Sequence, residues 1–97
     1  MTAQTTQPAS LPWLEKLVAI PTVSGSSNLE LIELLEAEFG RYGYSGVRTY
    51  NEDRTRANLF ITVPAANGTT RGGLVLSSHT DVVPVAGQDW ASDPFTL

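Results

Sequence analysis

From residue 10 onward the apolar positions fall first at helical and then at strand spacing. Leu11, Leu14, Leu17 and Val18 share one helical face, which predicts a helix opened by Ser10 as cap and Pro12 in its first turn. Pro21 closes it, because the residue before a proline avoids the helical region. A polar loop follows over Thr22 to Ser26. Ser27 and Glu30 then have the spacing of a capping box. The helix behind them carries Ile32, Leu35, Phe39 and Tyr42, widened by Leu31 and Leu34, with Gly40 and Gly43 available as left-handed caps. After Gly46 the period shortens. Val47 to Tyr50 alternates as a short strand does, Asn51 to Thr55 reads as a turn, and Leu59 to Val63 as a second strand ended by Pro64. Residues 64 to 73 read as loop. Leu74-Val75-Leu76 then forms an uninterrupted apolar run leading to His79.

The predicted order is helix, helix, strand, strand, strand, an α/β arrangement. The third strand is its anomaly. Continuous apolar runs belong to strands covered on both faces. Burying each of these three side chains would contribute ~1.5–3 kcal/mol. Two amphipathic helices can cover one face of a three-stranded sheet, and not readily both. The pattern looks cut from something larger. Residues 1–10, rich in Thr and Gln and without apolar periodicity, are expected to form a disordered tail.

Composition narrows the function classes. With 97 residues and 41% apolar content, the chain is one small domain or part of a larger one. The net charge of −4 and a sequence pI near 4.7 leave no basic face for nucleic acid. No apolar run approaches the ~20 residues that span a bilayer, and Met1 to Ser10 has neither the charge nor the apolar core of a signal peptide. The absence of cysteine excludes disulfides and thiolate metal sites, and fits a cytoplasmic protein. Glu30, Glu33, Glu36 and Glu38 read as a solvated helix face, Arg54 and Arg56 as exposed turn residues, and Trp13 and Trp90 as packing or loop anchors.

The candidate chemistry lies at the end of the apolar run. His79 is the sole histidine, and in extended backbone Asp81 shares its face. Strand ends facing a crevice are where open α/β sheets place ligands. A neutral imidazole is a good zinc ligand, and a neighbouring carboxylate that accepts its other ring N–H fixes the tautomer. Taken alone the pair is weak evidence, since a lone histidine is more often an ordinary hydrogen-bonded surface residue. The residues around it are far more specific.

The string Leu74-Val75-Leu76-Ser77-Ser78-His79-Thr80-Asp81-Val82-Val83-Pro84-Val85, with Gln88-Asp89-Trp90 and Ser92-Asp93-Pro94-Phe95 behind it, resembles the acetylornithine deacetylase / succinyl-diaminopimelate desuccinylase family of co-catalytic zinc amide hydrolases. Aminoacylases and glutamate-type carboxypeptidases are its relations. Upstream, Pro21-Thr22-Val23-Ser24 and Ser27-Asn28-Leu29 resemble the family's first loop and second helix start, and Asn58-Leu59-Phe60 its second strand. The resemblance runs over about residues 11 to 97. Ser78 departs from it, standing where the family usually has glycine; a side chain there bears on close backbone approach.

The resemblance implies a zinc-binding α/β domain with a mixed sheet, of which residues 11–97 would be the N-terminal portion, two helices and then three strands. It implies His79 as a ligand to one of two metal ions, zinc or alternatively cobalt, and Asp81 as the catalytic-site residue that orients it. The remaining ligands and the general-base Glu would follow residue 97. The implied substrate is a small N-acyl amino acid. The Asp93-Pro94-Phe95 ending lies closer to the branch removing the acetyl group of N-acetylornithine in arginine biosynthesis than to the desuccinylases. A cytoplasmic homodimer is expected of the full-length protein, and no activity of residues 1–97 alone. Another amide hydrolase of the family, or a non-catalytic α/β module, stands as the alternative.

Overall fold

The structure, a computed structural model, describes residues 6–97. They form the helices α1 (Ser10–Ala19) and α2 (Leu29–Arg41) and the strands β1 (Gly46–Tyr50) and β2 (Ala57–Ile61). The α/β class expected from the sequence is observed. The chain divides into two compact units, one of residues 22–83 and one combining the segment up to Pro21 with Pro84–Leu97. Each is described by itself.

In the second of these, α1 is a ten-residue helix with no fully buried residue. Its cap is Ala9 instead of Ser10, which is the first helical residue; Pro12 sits in the first turn, where no intrahelical donor is required. The first half of the tail expected over residues 1–10 lies outside the described residues. Lys16 rests its ammonium 4.7 Å above the Trp13 ring, so Trp13 is engaged in local packing. Near the chain's end the Asp93 carboxylate accepts the Phe95 N–H at 2.9 Å, a local turn that Asp-Pro favours.

The unit of residues 22–83 is built on α2 and a hairpin. β1 and β2 pair antiparallel, with Gly46 opposite Ile61 and Tyr50 opposite Ala57. Asn51 holds the connecting turn: its backbone N–H donates to Arg56 O at 3.1 Å and its side-chain oxygen accepts the Arg56 N–H at 2.8 Å. Pleating places Arg48 and Tyr50 with Ala57, Leu59 and Ile61 on the face that α2 covers, and Val47 and Phe60 on the other. Leu31 and Ile32 of α2 and Ala57 of β2 form the buried core. Val47 and Phe60, paired across the strands, remain exposed.

The end of α2 follows from Gly43. Its φ of 83° lets Tyr44 N–H reach Phe39 O at 3.1 Å while Gly43 N–H reaches Gly40 O at 3.0 Å, the paired bonds of a Schellman cap. Gly40 remains inside the helix. Tyr42 is consequently not part of the apolar stripe but lies at the exposed cap. At the start of α2 the expected Ser27–Glu30 box is absent. Asn28 takes the cap position without a side-chain cap bond, and Ser27 Oγ accepts only the Leu29 N–H at 3.3 Å. The acids of α2 are less uniformly solvated than expected: Glu36 accepts the Arg48 Nε–H at 2.7 Å, and Glu38 pairs with Arg41 at 3.0 Å. The Glu36 carboxylate, and then the Tyr50 hydroxyl, hold the Arg48 guanidinium above its usual range.

The third strand expected over residues 74–76 is not formed; among the described residues the sheet has two strands. A strand exists through its partner, and no described segment pairs with this one. Leu74, Val75 and Leu76 are accordingly exposed, at 85%, 76% and 88%. The mixed sheet is likewise reduced to one antiparallel pair and an isolated parallel bridge between Val23 and Val82. No helix among the described residues is long and apolar enough to cross a membrane.

Asn28 explains how α2 is fastened to the hairpin. Its side-chain oxygen accepts the Ala57 N–H and its side-chain amide donates to the Ala57 carbonyl, both at 2.9 Å. The side chain thus completes the backbone pairing of a buried strand residue. Asn28→Ala is expected to lower stability by about 1–3 kcal/mol, since it removes both bonds and strands two peptide groups. Asn28→Asp, which cannot donate to the carbonyl, should also destabilise. Urea unfolding measures both; wild-type midpoints in the two variants would refute this fastening role.

Candidate functional site

The segment that carries His79 is tied to the loop before α2 by short backbone pairing. Val82 N–H donates to Thr22 O at 3.0 Å, and Ser24 N–H donates to Val82 O at 2.8 Å, the slanted pattern of a parallel ladder. Thr22, the one buried polar residue among those described, adds its hydroxyl, which donates to Thr80 O at 2.6 Å. These three bonds, and a fourth from the Ser24 side chain to Asp81, hold residues 80–82 against residues 22–24.

This pairing sets the side chains. Asp81 uses its two oxygens separately: Oδ2 accepts the Ser24 hydroxyl at 2.7 Å, and Oδ1 lies 2.8 Å from His79 Nδ1. The Asp81 carbonyl oxygen lies 3.1 Å from the same nitrogen. Both Asp81 atoms are acceptors at neutral pH, so Nδ1 carries the proton. The imidazole then presents Nε2 as a lone pair on a side chain 84% exposed. The expected juxtaposition of His79 and Asp81 is observed. Ser24 and Thr22, legible in the sequence only as polar loop residues, hold it. Their signal was the density of hydroxyl donors directly after Pro21.

The Ser24 hydroxyl first, and His79 second, keep the Asp81 carboxyl below the usual carboxylate range. The sign follows directly. A folded pKa below the unfolded one means that the unfolded state binds the proton more readily. The contribution of these bonds is therefore present above the unfolded carboxylate pKa and lost as pH falls through the folded value.

The arrangement fits one metal-ligand position with its orienting carboxylate. It does not make up a whole site: among the described residues no group of three or more His, Cys, Asp or Glu side chains could hold a metal ion, and a catalytic zinc requires three protein ligands. Arg54 and Arg56, both exposed, lie at the hairpin turn; the Arg54 guanidinium stacks 3.9 Å from the Tyr50 ring.

The chain is 36% identical over 89 residues to an acetylornithine deacetylase of Yersinia pestis, 35% over 97 residues to one of Proteus mirabilis (strain HI4320), and 38% over 88 residues to one of Klebsiella pneumoniae (strain 342). These alignments cover 84%, 93% and 84% of the chain, but only 23%, 24% and 22% of the relatives. The chain thus spans about a quarter of the length of the curated relatives it matches. No protein-family profile matches the chain, and no solved structure does.

The pairing that builds the site is open to test at Thr22. Thr22→Val keeps the shape of a buried side chain and removes only the donor to Thr80 O. It should cost about 0.5–1.5 kcal/mol in denaturant unfolding, the usual net contribution of one hydrogen bond. A variant as stable as the wild type would contradict the anchoring role.

Proposed function

We propose that the protein to which this chain contributes is a metal-dependent amide hydrolase that removes the acetyl group of N-acetylornithine, serving arginine biosynthesis. The observation that carries the reading is the His79–Asp81 pair, with Nδ1 engaged at 2.8 Å and Nε2 free to bind. The similarity over most of the chain to enzymes named acetylornithine deacetylase supports the same reading. The proposal extends to a cytoplasmic homodimer, zinc or cobalt as the metal, and a small N-acyl amino acid as substrate.

In this reading His79 is a metal ligand through Nε2. Asp81 accepts the Nδ1–H, fixes the ring's orientation and makes Nε2 a better donor. A bound zinc ion would supply Lewis acidity and a coordinated water whose pKa falls to about 7. Amide hydrolysis further needs a general base and stabilisation of the developing oxyanion. Glu30, Glu33, Glu36 and Glu38 lie on α2, two of them held by arginines, and Glu52 lies in the hairpin turn; none stands beside His79 in the ladder segment. Residues 1–97 by themselves are therefore proposed to bind metal weakly and to catalyse nothing.

Two measurements check this. Calorimetric titration of the chain with Zn²⁺ or Co²⁺ should show weak binding that His79→Ala abolishes; equal binding by both would remove the metal assignment. With excess metal and N-acetylornithine, the chain should show no turnover above metal alone. Turnover lost on His79→Ala would overturn the incompleteness. In a longer form carrying the downstream region, Asp81→Ala should lower metal affinity or activity ~10–100-fold.

A further inference from the structure

Asp81 orients His79 only if its carboxylate is itself held. Nothing buries it: the side chain is 61% exposed. An exposed carboxylate two residues from its partner has free rotation about its own χ angles, and each rotation away from His79 gains hydration. The ordering must come from a bond to the oxygen that His79 does not use. Ser24 makes that bond, its Oγ 2.7 Å from Oδ2.

Ser24 is suited to this by its backbone. Its N–H is committed to Val82 O at 2.8 Å, one residue beyond the carboxylate it holds. The preceding residue, Val23, is the bridge partner of Val82. The hydroxyl is thus borne on backbone registered against the very segment that carries Asp81, and it needs only one χ angle fixed to reach it. The order of bonds is Ser24 Oγ–H to Oδ2, and Nδ1–H of His79 to Oδ1, across the two oxygens of one carboxylate.

We propose that Ser24 is a positioning residue for His79: its hydroxyl holds the Asp81 carboxylate so that the imidazole keeps its proton on Nδ1 and its lone pair on Nε2. The proposal rests on the reading of His79 as a metal ligand paired with Asp81. The Asp81 carbonyl, 3.1 Å from Nδ1, favours the same tautomer and would remain when Ser24 is changed. The effect of removing the hydroxyl is therefore a shift in the ratio of the two neutral tautomers, not a complete reversal. Ser24 donates to an ionised carboxylate, and the part of that bond transmitted to the ring, of the order of one ordinary net hydrogen bond, corresponds to about a 2- to 10-fold change in that ratio.

His79 is the only histidine in the chain, so its ring nitrogens are assigned without ambiguity in a ¹⁵N-labelled sample. Long-range ¹H–¹⁵N correlation in mildly alkaline solution reads the tautomer directly. The wild type should show Nδ1 protonated. Ser24→Ala should lower the Nδ1-H to Nε2-H ratio about 2- to 10-fold, and Ser24→Thr, which keeps a hydroxyl, should restore it. The Val82 amide shift reports whether the ladder persists in each variant. Asp81→Ala separates the two claims. If it leaves the ratio unchanged, the carboxylate–imidazole pairing fails, and the site reading with it. If it moves the ratio while Ser24→Ala, with the Val82 amide unshifted, does not, Ser24 alone loses its role. A Ser24→Thr ratio that matches Ser24→Ala, with the ladder intact in both, would also overturn the assignment.

Discussion

The two backbone bonds between residues 22–24 and residue 82 are the constraint on which the site depends. Val82 N–H reaches Thr22 O and Ser24 N–H reaches Val82 O, and the side-chain contacts of the site follow from that register. A slip by one residue would turn Ser24 away from Asp81, because alternate residues point to opposite faces. The bridge is short, so it is reinforced: the buried Thr22 hydroxyl adds a third bond, to Thr80 O. A segment with little apolar burial of its own is held in this way by polar groups that each find a partner.

The hairpin and α2 form the packed body behind this loop. Asn28 stands four residues after Ser24 and is bonded at both ends of its amide to Ala57. It links the start of α2 to the start of β2, and the loop that precedes it therefore leaves from a fixed point. Leu31 and Ile32 complete the attachment by burial. The opposite face of the hairpin, with Val47 and Phe60 exposed, and the exposed run Leu74-Val75-Leu76 are apolar surface without cover among the described residues.

Much of this was legible in the sequence. The helices, the hairpin and the facing of His79 with Asp81 all follow from periodicity, glycine and proline positions, and the two-residue repeat of extended chain. The capping box failed because Asn28 competes for the cap position and spends its side chain on Ala57, a contact 29 residues away that no local pattern announces. The third strand failed for a related reason. Apolar periodicity reports what a segment would bury, whereas strand formation depends on a partner outside it. Ser24 and Thr22 were visible only as polar loop residues. Their roles come from side-chain contacts across 58 and 57 residues, set by the parallel bridge of Val23 with Val82, which spacing along the chain does not encode.

The register at Val82 is the point from which the rest of the site is derived, and scalar coupling across hydrogen bonds observes it directly. In a ¹³C,¹⁵N-labelled chain, the Val82 amide nitrogen should couple to the Thr22 carbonyl carbon, and the Ser24 amide nitrogen to the Val82 carbonyl carbon. Both couplings together establish the pairing that brings Ser24, Asp81 and His79 into one hydrogen-bonded chain. Their absence, with the β1–β2 couplings present in the same spectrum, would contradict it.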